Sequence, residues 1–201
     1  MLSRSQKPLL IVISGPSGVG KDSVINRMKE RGLPFRFVIT ANTRPQRPDE
    51  IDGVDYFFVT HEEFEQMIED GELFEYAVVY EDLKGVPKNQ IEDALASGED
   101  VIMRLDVQGA ETIRAKCPEA LMVFLSTRNE DELIARLKTR RTESEESLTL
   151  RIKTAREEFE RVDSFDYYVV NEEDKLDETV DTILSIIQAE HARTTPREVS
   201  L

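Results

Sequence analysis

Gly15-Pro16-Ser17-Gly18-Val19-Gly20-Lys21-Asp22-Ser23 is the stretch that decides the fold. It follows the apolar run Leu9-Leu10-Ile11-Val12-Ile13 and precedes Val24, Ile25 and Met28, which have helical spacing. A buried strand that passes through a glycine-rich turn into a helix is the setting a phosphate-binding loop requires. Gly15, Gly18 and Gly20 allow the backbone to curl so that successive N–H groups converge on phosphate oxygens. The helix that opens near Lys21 adds the positive end of its dipole, and Lys21 adds a full charge. The common pattern places Ser or Thr directly after the lysine as a Mg²⁺ ligand. Here Asp22 holds that place and Ser23 follows it, so either one is the expected magnesium ligand.

Outward from the loop, strands and helices alternate. Strands are predicted at Leu9–Ser14, Val101–Asp106, Leu121–Ser126 and Tyr167–Asn171. Helical spacing joins Ile91, Ala94 and Leu95, then Leu133, Ile134 and Leu137, then Val180, Ile183, Leu184 and Ile187. This rhythm predicts an α/β fold with a parallel sheet covered by helices on both faces, and ligands at the carboxyl ends of the strands. Two segments interrupt it. Residues 40–86 hold short alternating pieces, among them Val54–Val59 after the turn-forming Asp52-Gly53. Residues 129–156 are helical and rich in arginine. Past Ala189 the polar tail His191–Leu201 is expected to fray.

Bulk properties set the frame. A chain of 201 residues supports one sizeable domain with small insertions. The net charge of −15 argues against nonspecific nucleic-acid or anionic-membrane binding. No apolar run reaches the ~18 residues of a membrane span. The basic start runs straight into the first strand and reads poorly as a signal peptide. A single cysteine, Cys117, fits a reducing, cytoplasmic setting. With only His61 and His191, a histidine-based metal site is not expected.

Both interruptions carry anion-binding chemistry. Arg44 and Arg47, in a proline-restricted loop, are spaced to grip one phosphate, although by themselves they also read as solvated loop arginines. In the second segment Arg136 and Arg140 lie four apart on one helix face, and Arg151 can approach from the next helix. A mobile arginine flap over transferring phosphates is the sharper reading. The plainer one is a surface helix paired with Glu143, Glu145 and Glu146.

Over nearly its whole length the chain resembles the guanylate kinases. The resemblance rests on GPSGVGK, TRPQRPDEIDGVDYFFV, ELFEYA, LDVQG, RLKTRRTESEESLTLRI and VVN, in that order. It implies a P-loop kinase fold divided into a core (1–39, 90–128 and 153–201), a small mixed α/β GMP-binding insert (40–89) and a helical lid (129–152). It also implies transfer of the ATP γ-phosphate to GMP, and to dGMP, with Mg²⁺, by a monomer or small homo-oligomer. Gly15 through Ser23 and Asn171 match the ATP-binding positions. Lys21, Arg44, Arg136, Arg140 and Arg151 match the catalytic cations. Thr40, Arg44, Arg47, Tyr56, Glu75 and Asp106 match the GMP site, with Glu75 accepting from guanine N1–H and the 2-amino group. Adenine lacks both donors, so Glu75 is expected to reject AMP.

The departures are informative. Lys84-Gly85-Val86 stands where the family usually has Tyr-Gly-Thr or Tyr-Gly-Ser. Lys84 is expected to replace the tyrosine on the GMP phosphate, and Val86 is expected at the GMP site by its matched position, although its side chain has no hydrogen bond to offer guanine. Arg104 stands where the first of two aspartates before the Gln-Gly dipeptide is often found, which weakens a metal-organising role for Asp106. Two alternatives carry their own signatures. The Gly-Lys-Asp-Ser string also resembles ribose 1,5-bisphosphate phosphokinase, but Glu75 and LDVQG favour a guanine nucleotide. A non-catalytic guanylate-kinase-like interaction domain typically loses loop glycines or the lysine, and here Gly20 and Lys21 are intact.

Overall fold

The computed structural model describes residues 7–48, 50–79, 82–139 and 145–199. Its first layer is a five-stranded parallel sheet. The strands are β1 (Leu10–Ser14), β2 (Phe35–Phe37), β7 (Asp100–Arg104), β8 (Leu121–Ser126) and β9 (Tyr167–Val170), in the order β2-β7-β1-β8-β9. β1 is central and buried at all five positions, which is why its sequence is an unbroken apolar run ending in a buried serine. The pleat splits that run. Leu10 and Val12 pack on one side with Ile91, Ala94, Ala110 and Ile113. Ile11 and Ile13 pack on the other with Val24, Ile25, Met28, Val180, Ile183 and Ile187. The helices that supply these partners are α3 (Lys88–Ala96) and α4 (Val107–Lys116) on the first side, and α1 (Lys21–Glu30) and α7 (Leu176–His191) on the second. Each fully buried aliphatic side chain contributes about 1.5–3 kcal/mol.

A second sheet is built entirely from chain between Thr40 and Pro87. Its strands are β3 (Thr40–Asn42), β4 (Tyr56–Phe58), β5 (Leu73–Val79) and β6 (Asp82–Pro87), in the order β4-β3-β6-β5. β3 and β4 are parallel, whereas β6 runs antiparallel to both β3 and β5. Helix α2 (His61–Glu69) closes it and opens on a reciprocal cap between Thr60 and Glu63. Two further helices, α5 (Glu130–Thr139) and α6 (Glu145–Phe159), occupy the arginine-rich stretch. α6 runs without a break across the lid boundary expected at 152/153.

The sequence misses β2, a three-residue edge strand whose side chains are only partly buried. The expected fraying of the tail also differs from the structure. Arg197 is buried, and its Nε donates to Glu190 Oε2 at 2.6 Å, while Tyr167 OH donates to Glu190 Oε1 at 2.7 Å. These bonds hold the Glu190 carboxyl at about 2 despite its burial, and they anchor the segment beyond α7. Among the described residues no helix is long and apolar enough to cross a membrane.

Candidate active site

The glycine loop joins β1 to α1 at the carboxyl edge of the parallel sheet. Gly20 caps α1 with φ +93 and no side-chain cap bond, so the amides of the first turn remain for an anion. A Cβ at Gly20 would strike the Asn171 side chain, so the position demands glycine on conformation and space alike. Lys21 Nζ folds back onto the carbonyls of Gly15 and Pro16, the latter at 3.0 Å. Burial lowers the lysine to about 8, with the Glu158 carboxylate opposing the shift. Behind the loop, Asn171 Nδ2 donates to the Val19 carbonyl at 2.8 Å, and Arg136 Nη1 donates to the same oxygen at 3.2 Å. Arg136 also donates to the Asn171 carbonyl and pairs with Glu132. These two residues therefore brace the loop from outside the cleft.

The second sheet supplies the opposite wall. Arg44 offers both terminal nitrogens to Glu50, and its guanidinium carbon lies 5.1 Å from the Tyr56 ring centre. Arg47 donates its amide to Glu50 Oε2 at 2.9 Å and brings Nη1 to 3.6 Å from Oε1. The Arg44 and Arg47 bonds hold the Glu50 carboxyl below its usual range against the opposing effect of burial. Thr40, Lys84 and Glu75 complete the wall. Glu75 is 3% exposed, and its buried Oε2 has no hydrogen-bond partner among the described residues. Burial and the neighbouring Asp106 push its carboxyl up to about 8. Gly109 makes room for this group, since a Cβ there would sit 3.0 Å from Glu75 Oε1.

Between the walls lie Asp22, Arg104 and Asp106 from the core and Ser147, Arg151 and Glu158 from α6. Asp106 is committed in part to its own helix, as Oδ1 accepts from the Gly109 amide at 2.9 Å and caps α4. Glu158, buried near Lys21, is raised to about 7 by desolvation. Burial also lowers Lys84, so several groups here sit off their solution values.

Most of the residues singled out from the sequence thus share one cleft: Gly15, Ser17, Gly18, Gly20, Lys21 and Asp22 on one wall, with Thr40, Arg44, Arg47, Tyr56, Glu75 and Lys84 facing them, and Asp106 and Arg151 between. Others do not line it. Val86 is fully buried in the core with Leu10, Val12 and Met103, because an apolar side chain gains more from packing than from a polar wall. Ser23 is exposed and outside the cleft, one helical step round from Asp22. Pro16 contributes its carbonyl to Lys21, and Val19 has its side chain in the core. Asn171 is buried under the loop, where its Nδ2 holds the Val19 carbonyl. Arg140 lies outside the described residues. Sequence reasoning missed Ser147 and Glu158. Their spacing from Arg151, four before and seven after, puts all three on one helical face and would have revealed them.

In a chain of net charge −15, this cleft gathers Lys21, Arg44, Arg47, Lys84, Arg104 and Arg151. Cations stand on both walls, Lys21 on the glycine loop and Arg44, Arg47 and Lys84 on the inserted sheet, interleaved with Asp22, Glu75, Asp82, Asp106 and Glu158, an arrangement suited to moving a phosphoryl group between two bound anions. The guanylate kinase family model matches residues 7–190. Guanylate kinase 2, chloroplastic/mitochondrial, of Oryza sativa subsp. japonica is 49% identical over 201 residues, covering 100% of this chain and 70% of that protein. The guanylate kinase of Oceanobacillus iheyensis is 44% identical over 188 residues, covering 94% and 90%. The crystal structure of guanylate kinase from Anaplasma phagocytophilum superposes with a TM-score of 0.78 at 29% identity, over 94% of this chain and 89% of that one. On these matches, the chain belongs to the guanylate kinase family.

Proposed function

We propose that the protein transfers the γ-phosphoryl group of ATP to GMP, giving ADP and GDP. The observation that carries the reading is Glu75, a buried carboxylate in the cleft wall with one oxygen left without a partner among the described residues. Guanine offers two adjacent N–H donors to such a group and adenine offers neither. A site arranged around those donors penalises the analogue that leaves the carboxylate unmet.

The second sheet then binds the acceptor, with Arg44, Arg47 and Lys84 on its phosphate and Thr40 near the base. The glycine loop, Lys21 and Arg151 bind the donor. The GMP phosphate is largely dianionic near neutral pH (second pKa about 6), so the cleft needs no strong general base. Its work is alignment and charge neutralisation. Lys21 leaves the loop carbonyls for the donor phosphates, and Arg44 shares its guanidinium between Glu50 and the acceptor phosphate. Closure of α6 brings Arg151 down on the bound phosphates and excludes water. Among the described residues no group of three or more acidic, cysteine or histidine side chains forms a metal site. Mg²⁺ would arrive with ATP and would supply positive charge to the polyphosphate, and Asp106 is the cleft carboxylate that would help to hold it. The single, buried Cys117 accords with the reducing cytoplasm to which we assign the enzyme.

An acceptor panel of GMP, dGMP, AMP, IMP and ribose 1,5-bisphosphate with Mg-ATP tests the reading. GMP is expected to be phosphorylated with a kcat/KM at least about 10³-fold above that for AMP. Absence of GMP turnover, or preference for ribose 1,5-bisphosphate, overturns it.

A further inference from the structure

Asp22 and Arg104 each break a family pattern, and the structure joins them. Arg104 Nη1 donates to Asp22 Oδ1 at 2.7 Å, and Nη2 donates to the Asp55 carbonyl at 2.7 Å. The guanidinium carbon lies 4.1 Å from the centre of the Tyr56 ring, and Tyr56 OH donates to the same Asp22 oxygen at 3.3 Å. The Arg104 side chain is 10% exposed, lines the cleft, and has a buried Nε with no partner among the described residues. One residue at the end of β7 thus ties the first turn of α1 to the loop that leads into β4.

The charges make this more than a tie. A carboxylate directly after Lys21 stands beside the position of the donor phosphates and would repel them. With Arg104 in place, the net charge at the start of α1 is that of Lys21 alone. At separations of a few ångströms in a partly desolvated cleft, an uncancelled unit charge changes anion affinity by an order of magnitude or more. A guanidinium stacked on a ring, with its two terminal nitrogens on two separate acceptors, suits arginine and not lysine.

We propose that Arg104 is a positioning residue that cancels the charge of Asp22 beside the donor phosphates and fastens the phosphate loop to the acceptor-binding sheet. Asp22 is its counter-ion, not a ligand of the divalent cation that travels with ATP. The proposal rests on the phosphoryl-transfer reading above, but its test reads nucleotide binding directly.

The experiment compares Arg104→Gln, Asp22→Asn and the double variant by calorimetry with ADP, with Mg²⁺ and in EDTA, alongside KM and kcat. Arg104→Gln exposes Asp22 and is expected to weaken ADP at least about 30-fold. It should also raise KM for GMP, since the tie reaches Tyr56. Asp22→Asn leaves the Arg104 charge uncancelled and is expected to bind ADP at least as tightly as wild type, and to keep the wild-type ratio of affinities with and without Mg²⁺. The double variant removes both charges and is expected to recover to within about fivefold of wild type. A merely structural tie predicts the opposite, since the double variant then binds no better than Arg104→Gln. That result overturns the proposal, as does loss of the Mg²⁺-dependent gain in Asp22→Asn. If wild type fails to phosphorylate GMP, the acceptor reading fails and the ADP result still decides this one.

Discussion

The two sheets that meet at the cleft are built differently. The five-stranded sheet is covered on both faces, and its central strand β1 is buried at every position. The four-stranded sheet and α2 share a small apolar core of their own, Ala41, Phe64 and Leu73 with a fringe of partly buried residues, and Tyr76 and Val78 of β5 are half exposed. Stability is therefore concentrated under the glycine loop and is thin under the acceptor wall. Segments with few buried apolar contacts open locally at lower cost. The donor site is held by a rigid frame, whereas the acceptor wall can yield and close on its ligand.

Substitutions at the two chemical poles have the largest expected effects. Lys21→Met removes the loop cation and should lower kcat about 10³-fold with little change in Tm. Glu75→Gln keeps the shape but loses the acceptor pair, and kcat/KM for GMP should fall about 10²-fold, measured against an unchanged affinity for ADP. An equal loss of ADP affinity would mean that Glu75 serves the whole cleft and would erase the division between the walls.

The contrast in packing gives a second pair of tests. Ile11→Ala opens a cavity in the main core and should cost about 2–5 kcal/mol of global stability, read as a lower midpoint in urea, with KM for both substrates nearly unchanged. Phe64→Ala removes the centre of the small core, a truncation worth about 3–5 kcal/mol where packing is tight. Here the loss should appear mainly as a raised KM for GMP and faster amide exchange in 40–87. If Phe64→Ala instead lowers the global midpoint as Ile11→Ala does, the two sheets unfold as one unit and the contrast fails.

The same contrast explains what was legible in the sequence. β1, β7 and β8 announce themselves because buried parallel strands must be continuously apolar, and the loop announces itself because phosphate cradles need glycines at fixed spacing. The inserted sheet shows only as short alternating pieces, since three-residue strands such as β3 and β4 carry little period. Within the site, Arg44, Arg47, Glu75 and Lys84 were found as residue types in a family pattern. The Asp22–Arg104 pair was not, because its partners are 82 positions apart and neither residue looks like the other's complement in the chain. Val86 misled for the opposite reason, since a residue at a matched position can turn into the core.

Lys84→Ala and the pH response of Glu75 give the smallest effects and the finest division of the acceptor wall. Lys84→Ala should raise KM for GMP about tenfold without touching ADP affinity, as expected for one charge on one phosphate. The pH dependence is subtler. The Glu75 carboxyl sits at about 8, well above a free glutamate, because burial and Asp106 disfavour its anion. In the empty protein at pH 7 it is mostly protonated, and the unfolded chain is not, so this group lowers apo stability as pH rises from its ordinary value of 4.5 toward 8. Guanine donates two N–H groups and so selects the carboxylate, which means that GMP binding expels a proton. Affinity should rise with pH up to about 8 and level off beyond, a gain of about fivefold between pH 7 and 8. The GMP phosphate is already dianionic in that window and contributes little to the slope. Calorimetry in buffers of different ionisation heat reads the released proton directly. Glu75→Gln should remove both the slope and the proton, and a rising slope that survives would overturn the assignment of the titration to Glu75.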